Sequence, residues 1–155
     1  MGIAEALMIL EETTVVEASP GAVFHFFETM EEHYTRWHPD HVAFRWIDGN
    51  GLEAGATAYF EEEIAGKTQR KTVRFTRVDP DRYIEFEPTS RLVRLLMPHI
   101  SFAISSHPGG CELTQRISVR TGPIGAWLNR REFDAVREHM REEGENLNRI
   151  LEDDS

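Results

Sequence analysis

The sequence predicts an α+β fold in which a curved antiparallel sheet of about seven strands wraps around a long C-terminal helix, with two short helices after the first strand. Three observations predict this fold. A strand pattern ends at the helix-start signal Ser19-Pro20, strand-like segments separated by turn residues fill the middle of the chain, and a helical apolar pattern follows Gly122-Pro123. Strands joined by short turns pair antiparallel, and one helix covers one face of them, so the sheet must bend and enclose a pocket.

The first strand and the two short helices follow from local signals. The first strand is predicted over Thr13–Ala18. Ser19 is a good N-cap residue and Pro20 suits the first helical position, so a helix is predicted over Gly21–Met30. A second short helix or turn covers Glu31–His38 and ends there, because a residue that precedes proline disfavours the helical conformation.

Six further strands follow, bounded by turn residues. They are predicted over Val42–Ile47, Ala56–Ala65, Thr68–Val78, Arg82–Glu87, Ile100–Ser105 and Glu112–Arg120. A less regular segment, Leu92–Met97, precedes the strand that begins at Ile100. The last helix is predicted to run to about Leu151, with an apolar stripe at helical spacing. The stripe consists of Phe133, Val136, Met140, Leu147 and Leu151.

Composition limits the class of protein. A chain of 155 residues with 40% apolar residues fits a single domain, residues 1–155, with one hydrophobic core. The net charge of -10 argues against partners such as nucleic acid or anionic membranes. No apolar run reaches the ~20 residues that cross a bilayer. The single cysteine, Cys111, excludes an internal disulfide, fits a cytoplasmic location, and is expected to be a small buried side chain.

Two ionisable residues lie on the apolar side of the last helix. A rotation of about 100° per residue places Glu143 inside the stripe and His139 at its edge. The two are four residues apart, so they share a face and could bind one metal ion or orient each other. Gly144 would leave room for a ligand or a neighbouring backbone. The alternative is a solvated helix edge with an ordinary ion pair.

A glutamate is also predicted to face the pocket from a strand. Alternation puts Phe60, Glu62 and Ile64 on the apolar, inner face, and a buried carboxylate requires a cation or a proton. The alternative is a bulge that turns Glu61, Glu62 and Glu63 outward.

A histidine-rich segment lies where the helices lead into the sheet. His33, His38 and His41 fall within nine residues, at the expected mouth of the pocket. Pro39 stiffens the segment, and Trp37 could form a pocket wall. At least one of these histidines is a candidate ligand. Together with Glu62, His139 and Glu143 it would complete a set of nitrogen and oxygen donors that suits catalytic zinc.

The chain resembles the START/Bet v 1-like superfamily, also called the SRPBCC or polyketide cyclase group. The resemblance rests on Val15–Ala18 followed by Ser19-Pro20-Gly21-Ala22-Val23-Phe24, on the strand meander, and on the amphipathic last helix. It implies the helix-grip fold. It leaves the function open, because this superfamily includes cyclases, lipid carriers, hydrolases and plain binding proteins.

The ionisable residues resemble a narrower group, the hydrolases that cleave a carbon–carbon bond in diacetylphloroglucinol and phloretin. The resemblance implies that zinc or another divalent metal is held by His38, Glu62, His139 and Glu143, with His33 or His41 as the alternative first ligand. The expected function is therefore hydrolysis of a small aromatic or polyketide-like carbonyl compound, with His41 or His33 moving a proton or holding the substrate. The expected pocket is formed by Trp37, Phe60, Phe102, Met140 and Leu147.

Two other functions compete with this prediction. A carrier of a small hydrophobic ligand, or a metal-free cyclase-like protein, would use the same polar residues to orient a ligand by hydrogen bonds. An interaction module would need an exposed apolar patch. Sensitivity of the protein to metal chelators distinguishes the hydrolase from the first alternative.

Overall fold

The computed structural model describes residues 7–49 and 51–153, which form strands and helices in the predicted order. The elements are β1 (Leu7–Val16), α1 (Pro20–Glu28), α2 (Met30–Trp37), β2 (His41–Asp48), β3 (Thr57–Ile64), β4 (Lys67–Asp79), β5 (Tyr83–Pro88), α3 (Arg91–Leu96), β6 (His99–His107), β7 (Gly110–Arg120), α4 (Pro123–Leu128) and α5 (Arg130–Asp153).

The strands form one antiparallel sheet of seven strands in the order β1-β7-β6-β5-β4-β3-β2. Every neighbour in this sheet except the β1–β7 pair is also a neighbour in sequence. The sheet curves around α5, which packs against β1 at one edge and reaches β3 near the other. The predicted helix-grip fold is confirmed. None of the helices in the described part of the chain is long and apolar enough to span a bilayer.

The start of α1 is capped as the sequence predicts. The Ser19 side-chain oxygen accepts a hydrogen bond from the backbone N–H of Ala22 at 3.1 Å, and Pro20 occupies the first turn. The α1 residues Val23, Phe24, Phe26 and Phe27 are buried in the core. This packing holds α1 and α2 against the sheet, so that α2 delivers the histidine-rich segment to the cavity.

The structure differs from the prediction in two helices. The segment predicted to be irregular contains α3, because the Ser90 hydroxyl caps it by accepting from the N–H of Val93 at 3.4 Å. The single long C-terminal helix is interrupted at Asn129, whose backbone dihedrals are φ -103° and ψ 14° and whose side-chain amide donates to the carbonyl of Gly125. The interruption separates α4 from the helix that bears His139 and Glu143.

Helix α5 is fixed in position by side chains that bond to its main chain. The indole N–H of Trp37 donates to the carbonyl oxygen of Glu143 at 2.9 Å, and the Gln115 amide donates to that of Met140 at 2.7 Å. At Gly144 the helix approaches β1 closely, since a Cβ there would lie 2.8 Å from Cβ of Thr14. The space left by this glycine is filled by a β1 side chain rather than by a ligand.

Candidate functional site

The space between α5 and the concave face of the sheet is a cavity of about 450 Å³. Its walls are mainly apolar and aromatic. The aromatic residues that line it are Phe27, Tyr34, Trp37, Phe44, Trp46, Phe60, Phe75, Phe86, Phe102 and Phe133. Four of the predicted pocket residues, Trp37, Phe60, Phe102 and Met140, lie along its wall, whereas Leu147 is buried in the hydrophobic core outside the lining.

Four ionisable side chains converge beside this cavity, and three of them, Glu62, His139 and Glu143, line it. They are His41, Glu62, His139 and Glu143, and we call them the His–Glu cluster. One ligand atom from each lies within 4.8 Å of the other three. The exposed fraction of these side chains is 0% for His41 and 13% or less for the others. Buried carboxylates and imidazoles in contact must balance one another's charge or that of a bound cation.

Strand pairing and helix spacing bring the cluster together. His41 on β2 lies directly opposite Glu62 on β3. A register shift between His41 and Ala43 adds one residue to β2, so that His41 faces the same side as Phe44. From the other side of the cavity, α5 presents His139 and Glu143 one turn apart, with their Nε2 and Oε2 atoms 3.4 Å from each other.

The hydrogen bond on the far side of the His41 ring fixes its tautomer. Nδ1 of His41 lies 2.8 Å from the carbonyl oxygen of Tyr34, which can only accept, so Nδ1 carries the proton. The Tyr34 ring stacks on the imidazole with centroids 4.0 Å apart. In a neutral His41, Nε2 therefore directs its lone pair into the cluster, which is the arrangement found in metal-binding histidines.

His38 borders the His–Glu cluster, and His33 lies outside the cavity lining. Nδ1 of His38 accepts a hydrogen bond from the backbone N–H of Asp40 at 2.9 Å, and its Nε2 faces a Glu142 oxygen at 3.4 Å. The His38 ring also lies beside His139, with centroids 4.2 Å apart, and His38, Asp40 and His139 form a second group of possible metal ligands. His41 is the histidine that groups with Glu62, His139 and Glu143. His33 stacks on Phe26 with centroids 5.0 Å apart, lies beside Arg36, and is neither in the cavity lining nor in the cluster.

The cluster shifts the acidity of its members. Burial alone would raise the pKa of Glu143, but its contacts with His139 and His41 lower that pKa to about 2. Burial alone would lower the pKa of His139, but the carboxylates of Glu143 and Glu62 raise it to about 10. Without a cation, His139 therefore carries a proton, and the cluster behaves as an imidazolium held by carboxylates.

Two residues that sequence reasoning missed complete the surroundings. The phenol of Tyr34 lies 3.5 Å from Oε2 of Glu62, and burial together with the negative charges of Glu62 and Glu143 raises its pKa, so it stays a hydrogen-bond donor. Asp40 lies 3.6 Å from Nδ1 of His139, a buried nitrogen that has no hydrogen-bond partner in the described part of the chain. Tyr34 could have been found from its helical spacing to Met30 and Trp37, which places the three side chains on one buried face of α2.

The donor set fits a tetrahedral metal ion. Four ligands at zinc–nitrogen and zinc–oxygen distances of about 2.0–2.1 Å lie about 3.3 Å from one another. The Nε2 and Oε2 atoms of the cluster are separated by 2.8 to 3.8 Å in the five pairs that include a histidine. Two carboxylates and two neutral imidazoles carry two negative charges, which a divalent cation would balance.

Comparison with known proteins identifies relatives of the fold. The model of the family "polyketide cyclase / dehydrase and lipid transport" matches residues 8–152. The chain is similar to the Zhui aromatase/cyclase from Streptomyces sp. R1128, with a TM-score of 0.74, 14% identity and 94% of each chain covered. No curated protein matches the sequence.

Two further solved structures share the fold. A START superfamily protein from Mycobacterium smegmatis has a TM-score of 0.74 and 14% identity, over 95% of this chain and 99% of that one. Ara h 8.0201 has a TM-score of 0.69 and 15% identity, over 94% of this chain and 97% of that one. At such identities the three structures establish the architecture, while the use of the cavity must be argued from its own residues.

Proposed function

The chain belongs to the polyketide cyclase / dehydrase and lipid transport family, and from this premise we propose that its cavity binds a small aromatic or polyketide-like carbonyl compound and hydrolyses it with the help of a divalent metal. Zinc is the metal that best suits the His–Glu cluster. The observation that carries the proposal is the convergence of two imidazole Nε2 atoms and two carboxylate oxygens beside an apolar cavity that three of these four residues line.

A divalent metal held by these four residues would need a fifth coordination position for water, as catalytic zinc can provide. It would then lower the pKa of that water and polarise the substrate carbonyl, including that of an acyl group cleaved at a carbon–carbon bond. The residues around the cavity bind and orient the substrate. Aromatic side chains around the cavity bind the ring of the substrate and exclude water. The Tyr34 hydroxyl, beside Glu62, is placed to donate a hydrogen bond to an oxygen of the substrate.

In this proposal Tyr34 has the substrate-holding role that was expected of His41 or His33. His41 directs its Nε2 into the cluster, and His33 lies outside the cavity. The phenol of Tyr34 stays protonated because its pKa is raised by burial and by Glu62 and Glu143. A hydroxyl that keeps its proton stabilises negative charge that develops on a substrate oxygen.

A metal-free ligand carrier or cyclase-like protein is the competing function, and one observation favours it. The His139 imidazole, held protonated between Glu62 and Glu143, satisfies the buried carboxylates without a metal. In that case the cluster orients a polar group of the ligand by hydrogen bonds, and chelators have no effect on ligand binding.

Metal content distinguishes the two functions. We would measure it by elemental analysis of protein purified without chelator, in the wild type and in the variants His41→Ala and His139→Ala. His25→Ala is the control, because it removes an exposed histidine of α1 that contacts Glu28 and no member of the cluster.

The hydrolase proposal predicts about one divalent ion per chain in the wild type and in His25→Ala, and loss of that ion in the two cluster variants. Zinc-dependent hydrolysis of acylated phenols should follow the same pattern. Absence of metal in the wild type, even after incubation with zinc, would contradict the proposal and favour the metal-free carrier.

A further inference from the structure

A lysine faces the cavity a short distance from the His–Glu cluster. Every second residue of β4 points inward, and Lys71 lies on this inner face with the buried residues Val73 and Phe75. Lys71 lines the cavity, and its ammonium nitrogen lies 5.9 Å from the centroid of the Phe60 ring. A lysine in an apolar ligand cavity requires a partner for its charge.

The partners of Lys71 within the chain are few. Its ammonium donates to the side-chain oxygen of Gln69 at 2.9 Å, and among the described residues it forms no ion pair. Its neighbour Arg70, on the outer face of the same strand, contacts Glu61 at 3.7 Å. An ammonium has three donors, so Lys71 can offer the others to a ligand. Burial lowers its pKa, against the opposing effect of Glu62, and an anionic ligand would restore the charged form.

Strand pairing relates Lys71 to the cluster. Lys71 pairs with Phe60 across β3 and β4, while the next inward pair joins Glu62 to Gln69. Such diagonal neighbours are separated by roughly 7–8 Å on one face of a sheet. One small ligand can therefore reach both groups, with a ring lying against Phe60 between them.

We propose that Lys71 binds an acidic oxygen of an aromatic ligand, a carboxylate, phenolate or enolate oxygen, while the other end of the ligand lies at the His–Glu cluster. This inference rests on the proposed function only in using the same cavity, because the contact with Lys71 needs no metal. It names the substrate class: ring compounds that carry an ionised oxygen in addition to the carbonyl group.

A pair of fluorescent dyes tests the inference. 8-Anilino-1-naphthalenesulfonate and N-phenyl-1-naphthylamine share the same ring system, but only the first carries a charged group, a sulfonate. We would titrate both into wild-type protein and into Lys71→Met, Lys71→Gln and Lys71→Arg, with and without chelator. Arg70→Met is the matched control, since it removes one positive charge from the outer face of the same strand.

In Lys71→Met and Lys71→Gln we expect the affinity for the sulfonate dye to fall about 10- to 100-fold, as for a lost charged hydrogen bond. The affinity for the uncharged dye should change less than about threefold, and Lys71→Arg and Arg70→Met should keep most of the affinity for the sulfonate dye. Equal losses for both dyes, no loss for the sulfonate dye, or no binding of either dye to the wild type would overturn the inference. Because chelated protein serves for this test, its result is independent of the metal content that tests the hydrolase.

Discussion

Helix α5 carries two acid–base pairs with the same spacing on opposite faces. On the inner face, His139 and Glu143 are 3.4 Å apart, with side chains 5% and 10% exposed. On the outer face, Arg141 and Glu145 are 2.8 Å apart, with side chains 48% and 52% exposed. The sequence spacing of the two pairs is identical, and their surroundings differ entirely.

This difference shows that burial, and not spacing, decides what such a pair can do. The outer pair is screened by water and contributes little to stability. The inner pair is removed from water together with His41 and Glu62, so its charges must be balanced within the cavity. Only the inner pair can therefore serve as a site for a cation or for the polar group of a ligand.

Removal of one carboxylate from each pair should have the largest effect on metal binding. Glu143→Ala takes away one of four donors and should weaken zinc binding by more than about 100-fold, since even indirect partners of a metal ligand contribute 10–100-fold. Glu145→Ala should leave zinc affinity unchanged. Competition with a chromophoric chelator measures both affinities. Equal affinities in the two variants would mean that the inner pair binds no metal.

Asp40 should have the next largest effect, through His139. A metal at Nε2 of His139 leaves its proton on Nδ1, which faces the Asp40 carboxylate at 3.6 Å. We expect Asp40→Asn to weaken zinc binding about tenfold, measured by the same competition. Asp134→Asn is the control, because among the described residues that carboxylate pairs with Arg137, on the exposed side of α5. If the two variants have the same affinity, Asp40 does not support His139.

The inner face of α5 should also resist an added methyl group. Alanine at position 144 would place its Cβ 2.8 Å from Cβ of Thr14 and closer still to the hydroxyl. The helix propensity of alanine offsets part of this overlap, so we expect Gly144→Ala to lower the free energy of unfolding by about 1–2 kcal/mol. Chemical denaturation measures the change. In a Thr14→Ala background the loss should be smaller, and an equal loss there would exclude this contact as the cause.

Periodicity predicted those parts of the site that lie on regular elements. Helical spacing indicated His139 and Glu143, and strand alternation placed Glu62 on the inner face of β3. The fold followed from the order of strands and the Ser19 cap, which the structure confirms. These predictions used only the repeat of the local backbone, which is why they did not require tertiary contacts.

The choice among the clustered histidines could not be made in this way. Alternation from Phe44 and Trp46 would turn Val42 inward and His41 outward, but the register shift between His41 and Ala43 reverses the two. As a result Val42 is 47% exposed and His41 is buried. A bulge of this kind depends on strand pairing, so the sequence left His33, His38 and His41 as alternatives.

The last and smallest effect concerns pH in metal-free protein. The pKa of Glu143 is lowered from 4.5 to about 2, so its contribution to stability is present above pH 4.5 and is lost as the pH falls through 2. The pKa of His139 is raised from 6.5 to about 10, so its contribution is present below pH 6.5 and is lost as the pH rises through 10. The inner pair therefore stabilises most between pH 4.5 and 6.5.

From pH 6.5 to 10 the free energy of unfolding of chelated protein should fall by at least about 1 kcal/mol more than that of His139→Gln, as chemical denaturation at each pH would measure. Arg141→Gln, on the outer face, should follow the wild type. In the presence of zinc the stabilisation by the metal should instead increase with pH, because a metal binds imidazole only after the proton has left. A stabilisation by zinc that does not increase as the pH rises from 6.5 would mean that His139 is not among its ligands.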